Sequence, residues 1–147
     1  MNVKHILCPV DFSTHAEGAI SYATSLAKEY DAELHFLHVY ERHTAIDAGF
    51  AAAPLPESDM QHERKQLEAV APTSDDVRCR HKFVEGSPSD EIAKYATDEN
   101  IDLIVMGTHG RTGLGRLLMG SVAEAVVRRA PCPVLTIKQP AKELQTH

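Results

Sequence analysis

A chain of 147 residues with net charge -6, 43% hydrophobic and 24% charged residues, has the make-up of one ordinary globular domain. The acidic balance excludes a general nucleic-acid binder, which needs a basic footprint. No apolar run approaches the ~18 residues a membrane helix needs, so membrane insertion is not expected. The start of the chain shows no export segment, and the cytoplasm is the expected compartment.

In chain order, Lys4 to Val10 reads as a first strand. Its short continuous apolar run suits a strand covered on both faces, and Pro9 limits its end. Asp11-Phe12-Ser13 turns the chain, with Ser13 as helix cap. A helix from Thr14 to Tyr30 follows. Its apolar face comprises Ala16, Ala19, Ile20, Ala23, Leu26, Ala27 and Tyr30. Ala32 to Tyr40 is a second strand. Residues 41–58, with Gly49, Pro54 and Pro56, read as a mobile loop of lid, interaction or idle character. Asp59 to Val70 is a charged helix anchored by Met60, Leu67 and Val70.

Val77 to Glu85 alternates like a half-exposed edge strand. Ser87 caps the next helix, with Pro88 at its first position, and that helix runs to about Asn100. Asp102 to Met106 is a strand. Val122 to Ala130 is a helix with Val122, Ala123, Val126, Val127 and Ala130 on one face, stopped by Pro131. Pro133 to Ile137 is the last strand, and residues 138–147 form a polar tail. Alternating strands and helices give an α/β fold, a single-domain doubly wound five-stranded parallel sheet with helices on both faces. One domain spans residues 1–147. The strand order 3-2-1-4-5 places a topological reversal between strands one and four.

Met106 to Val122 is the most distinctive stretch, holding five of the eight glycines. A glycine-rich strand-to-helix connection can wrap backbone N–H groups and a helix N-terminus around an anion. The alternative is a connector without ligand. Known phosphate motifs can be tested by letter. The P-loop fails because Gly110-x4-Gly115 precedes Arg116 and Leu117. The dinucleotide fingerprint fails because Gly113 and Gly115 precede Leu118 and follow the wrong strand. A phospho-receiver is weak, since Asp11 alone matches its acidic set. Cys8, Cys79 and Cys132 form no Cys-x-x-Cys pair and read as small buried residues. The histidines are scattered. His35 and His38 fall on opposite faces of one strand, and no metal site is read.

The pattern Gly107-x2-Gly110-x9-Gly120-Ser121 resembles the ATP-binding signature of the universal stress protein family. The resemblance extends to Ile-Leu-Cys-Pro-Val-Asp at the start, His-Val near the end of strand two, and Ala-Pro-Cys-Pro-Val-Leu at the close. It implies the five-stranded α/β sheet, a nucleotide ligand and commonly a homodimer. Pro9, Val10 and Asp11 would then line the adenosine side, with Asp11 binding ribose or assisting a magnesium ion indirectly. Val39 would pack on adenine, with Met106 and Gly107 as floor. Gly110 would approach the phosphates, while Gly120, Ser121 and Val122 would offer N–H groups at a helix start. Arg111 and Arg116 are extra phosphate partners or solvated loop charges.

The function implied is an ATP-binding stress-response or signalling module acting through its dimer or an unknown protein partner. A slow ATPase or self-phosphorylating protein is the first alternative, with no catalytic residue assigned. A nucleotide-independent adapter is the second. Independently, the short apolar strand Val134 to Ile137 would lie at a sheet edge and invites two-fold pairing.

Overall fold

A computed structural model of the chain describes residues 2–41, 57–108 and 119–138. Five strands form one parallel sheet: β1 (His5–Pro9), β2 (Glu33–Tyr40), β3 (Cys79–Glu85), β4 (Leu103–Gly107) and β5 (Val134–Ile137). Four helices connect them: α1 (Thr14–Tyr30), α2 (Glu57–Glu68), α3 (Pro88–Asp98) and α4 (Ser121–Arg129). The sheet order is β3-β2-β1-β4-β5, as expected. The predicted loop at 41–58 falls almost wholly outside the described residues, as do Gly110, Arg111, Arg116 and most of the polar tail.

Strand periodicity divides the core. Ile6, Cys8, Leu34, Phe36 and Val105 point to the face covered by α1 and α2. Leu7, Leu37, Ile104 and Met106 point to the other face, under α3 and α4. In α1, Ala19, Ala23 and Ala27 are fully buried, and their small side chains let the helix lie close to the sheet.

Helix ends depart from the sequence reading in instructive ways. Neither Ser13 nor Ser87 caps its helix with its side chain. The Ser13 hydroxyl is taken by Asp11 instead. Asp31 (φ 55°) and Asn100 (φ 52°) end α1 and α3 in left-handed backbone. Ala32 N–H then returns to the Ala27 carbonyl and Ile101 N–H to the Ala96 carbonyl, both at 2.9 Å or less. These are C-terminal closures of the Schellman type, served by the two non-glycine residues that tolerate that conformation best.

Three expected core members are exposed. Tyr30 is 40% accessible, Val122 36% and Val127 49%. On α4 the buried stripe narrows to Ala123 and Val126, the side on which, among the described residues, α4 packs on α3 and the sheet.

Gly18 lies inside α1, where glycine costs helix stability. Among the described residues, a Cβ there would meet only Ile137 Cγ2 at 3.7 Å, an ordinary contact. Gly18→Ala is therefore expected to stabilise the fold by about 0.5–1 kcal/mol. The urea unfolding midpoint checks this, and it should rise without a change in slope.

Candidate functional site

Because the sheet is parallel, β1, β2 and β4 all end at the same edge. β1 lies between β2 and β4, so the chain crosses to opposite faces on leaving its first and fourth strands. Sheets of this kind bind ligands at such a reversal.

The turn after β1 is held firmly. Val10 N–H donates to the Leu37 carbonyl at 2.9 Å, which continues the β1 ladder one residue past the strand. Asp11 Oδ1 accepts from Ser13 N–H at 3.0 Å and from Ser13 Oγ at 2.5 Å. This Asx turn fixes the carboxylate. Between them, Phe12 has φ 66°, a left-handed conformation unusual for an aromatic residue. Its ring lies 4.3 Å from that of His38, centroid to centroid. That packing offsets the local cost of the backbone.

His38 ties this turn to α2. It is 3% exposed, and its Nδ1 lies 2.8 Å from the Val10 carbonyl. A carbonyl only accepts, so Nδ1 carries the proton and donates. Its Nε2 lies 2.6 Å from Glu63 Oε1, with one proton shared along that contact. Beside it, a cleft of about 270 Å³ is lined by Asp11, Phe12, His62, Glu63 and Gln66.

At β4, the floor and the helix start come together through the main chain. Gly120 N–H donates to the Thr108 carbonyl at 2.7 Å, and Thr108 N–H donates to the Ile137 carbonyl at 3.2 Å. Gly120 precedes α4 as its N-cap residue. Its N–H is therefore committed to Thr108, unlike the expected role of ligand donor. Ser121 and Val122 form the first turn of α4, where N–H groups have no partner within the helix.

Thus the turn Pro9–Asp11, the end of β2 with Val39, and Met106–Gly107 with Gly120–Val122 occupy one end of the sheet. Gly110 and Arg111 lie outside the described residues. Val10 is 5% and Met106 6% exposed, so both side chains belong to the core, leaving mainly backbone for a ligand. Sequence reasoning missed His62, Glu63 and Gln66. They sit on the polar helix α2, and no spacing links them to Asp11.

A second polar cluster lies at the opposite end of β1. The register sets His5 against Glu33 and Leu7 against His35. His5, Glu33 and His35 thereby share one face, with Arg80 from β3 and Tyr95 from α3 beside them. The sequence reading gave these histidines no metal role, yet the register gathers three ligand-type atoms within 4.8 Å of one another. Burial pushes the His35 imidazole down to about 4, against the pull of Glu33, and lifts the Tyr95 hydroxyl to about 12. Both are neutral at physiological pH. Cys8 is also buried, which raises its thiol to about 12 and makes it inert.

The fold and this end of the sheet define a doubly wound α/β protein with a glycine-rich connection at its switch point. The universal stress protein family model matches residues 2–138, and the chain belongs to that family. A universal stress protein of Methanocaldococcus jannaschii is 37% identical over 144 residues, covering 95% of this chain and 85% of its own. Universal stress protein UspA from Lactobacillus plantarum superposes with a TM-score of 0.72 at 31% identity, over 93% of this chain and 99% of that one. Two structures at 22% identity share the fold. One is an Archaeoglobus fulgidus universal stress protein in complex with dAMP, with TM-score 0.71, covering 94% of this chain and 100% of that one. The other is a universal stress protein in complex with cAMP, with TM-score 0.62, covering 94% and 98%.

Glu63 is the partner on which His38 Nε2 relies. Glu63→Ala should leave that buried nitrogen unmatched and cost about 1–3 kcal/mol, with Glu63→Gln costing less. Chemical denaturation checks the order, and equal stability of all three proteins would remove the link between α2 and the β1 turn.

Proposed function

We propose that the chain binds ATP at the β1/β4 end of the sheet and works as a nucleotide-responsive stress or signalling module. The observation that carries this is the meeting of the acidic turn Pro9–Asp11 with the end of β4 and the start of α4 at one end of the sheet, two elements that a glycine-rich sequence joins. Nucleotide complexes of two proteins with the same fold add support.

In this reading the base packs against Val39, over Met106 and Gly107. Asp11 meets the ribose hydroxyls, or assists a magnesium ion through water. Its carboxylate is held in place by Ser13, which suits either task. Ser121 and Val122 give N–H donors to the phosphates, strengthened by the α4 dipole. Gly120 instead closes the frame through Thr108, and Gly110 and Arg111 complete the phosphate side. Ligand binding to the folded state at ~1,000 times its dissociation constant adds about 4 kcal/mol of stability. That coupling passes nucleotide state to a partner protein in the cytoplasm or to a second copy of the chain.

The second copy docks on β5. This edge strand leaves Leu135 37% exposed, and two-fold pairing covers such an edge.

Calorimetric titration with ATP, ADP, AMP, cyclic AMP and GTP tests the ligand. Gly120 has φ -65° and ψ 159°, extended backbone open to any residue, so Gly120→Val should fold normally. It is expected to weaken ATP binding by about 100-fold or more, because it puts a branched side chain where the phosphates sit and keeps them from the α4 N–H groups. Unchanged affinity, or no response of the wild type to any nucleotide, overturns the assignment. Single-turnover assays with labelled ATP and magnesium should stay at the buffer background, and a faster rate favours the ATPase reading.

Leu135→Lys is expected to turn a dimer into a monomer by light scattering at micromolar protein. A wild-type monomer under those conditions would refute pairing through β5.

A further inference from the structure

Three donor atoms from two adjacent strands converge at the start of β1. His5 Nδ1 is 3.1 Å from His35 Nε2 and 3.7 Å from Glu33 Oε1, and His35 Nε2 is 3.4 Å from Glu33 Oε1. A tetrahedral ion with bonds of about 2.0–2.1 Å holds its donors about 3.3–3.4 Å apart. The three edges bracket that value. We propose that His5, Glu33 and His35 bind a single divalent transition-metal ion of the zinc type, with water as its fourth ligand.

The donor set is chemically matched. Two imidazoles and a carboxylate suit zinc and its first-row neighbours, and they do not suit calcium or magnesium. The surroundings orient the ligands. Tyr95 Oη lies 2.7 Å from His35 Nδ1, so it can accept that N–H and turn the Nε2 lone pair toward the ion. Asp102 Oδ2 accepts the backbone N–H groups of Lys4 and His5 at 2.8 and 3.0 Å, which fixes the start of β1. His35 is fully enclosed, whereas the His5 side chain is 39% exposed. The ion therefore has a route from solvent and an open side for water.

Arg80 is the cation that faces the cluster, with Nη2 3.0 Å from Glu33 Oε1. Its side chain is 51% exposed, and Nη1 also approaches Glu99 at 3.9 Å. Arg80 can withdraw from Glu33 and stay paired. The ion then replaces a contact that is half in solvent.

About four strand steps of ~3.3 Å separate His5 from Pro9, so this site is independent of the nucleotide reading. The test titrates zinc into the chelator-treated full-length chain against a chromophoric chelator. Wild type is expected to hold one ion per chain at submicromolar affinity. His5→Ala, at an accessible position, should weaken it at least tenfold, as should Glu33→Gln, while ATP titration is unaffected. The seven other histidines and the three cysteines could hold an ion elsewhere, so cobalt supplies the second readout. Four-coordinate visible bands without a thiolate charge-transfer band are expected. Affinity weaker than roughly 100 µM, an unaltered His5→Ala, or a thiolate band would each overturn the site.

Discussion

Strand β1 is paired along both edges, to β2 and to β4, and both ends of the molecule take their chemistry from that pairing. A strand in this position is covered by helices on both faces, so its middle must be apolar. Ile6, Leu7 and Cys8 are accordingly sealed from solvent. Polar chemistry is displaced to the two ends, where the covering helices stop. At the carboxyl end, chain reversal separates the connections leaving β1 and β4 and leaves room between them. At the amino end, the parallel register brings His5 level with Glu33.

Two buried histidines break the apolar rule on β2, and each does so in a way that ties elements together. His38 faces α1 and α2, and bridges the Val10 carbonyl to Glu63. His35 faces α3 and reaches Tyr95. Buried polar atoms persist when every hydrogen-bonding position is met, and both rings have partners at both nitrogens. Their role in the fold is to hold helices to the sheet by direction as well as by apolar contact. Arg64 over the Phe83 ring, at 4.3 Å, adds a further hold on α2. Phe83 in turn stacks on Tyr40, so α2 is docked at the edge of the sheet where the cleft opens.

All nine elements could be read from the sequence because apolar runs, proline and glycine are local signals, whereas the strand order is an assumption at that level, and it is the sheet that bears it out. Residues Leu34 to Val39 announce a buried strand without any knowledge of their neighbours. Ser13 takes the N-cap position as read, but its side chain makes no cap bond, because a hydroxyl can donate to a nearby carboxylate as well as accept from helix N–H groups. The sequence cannot rank Asp11 against the helix N–H groups, and the Asx turn wins. The face of α4 was drawn too wide at Val122 and Val127 because periodicity gives direction, while the width of the buried stripe depends on how many elements meet the helix. Gly107 and Gly120 were picked out by their spacing as parts of one motif, and the fold sets both at the carboxyl end of the sheet. The contribution of α2 to the cleft was not, since Asp11 and Glu63 are linked only through the fold and His38.

The His5 cluster shows the same limit more sharply. Metal-ligand spacing rules assume donors on one segment, such as two residues a turn apart on a helix. Here Glu33 and His35 alternate correctly for one face of a strand, but two donors make no recognisable site. The third arrives only when β1 pairs with β2 in the observed register. A slip of one residue would turn His5 to the opposite face and dissolve the group. That register is itself fixed by the apolar residues that follow, since Ile6, Leu7 and Cys8 must enter two different cores. The packing of β1 thus determines that these polar atoms meet, and the same packing fixes where the Pro9–Asp11 turn emerges at the other end.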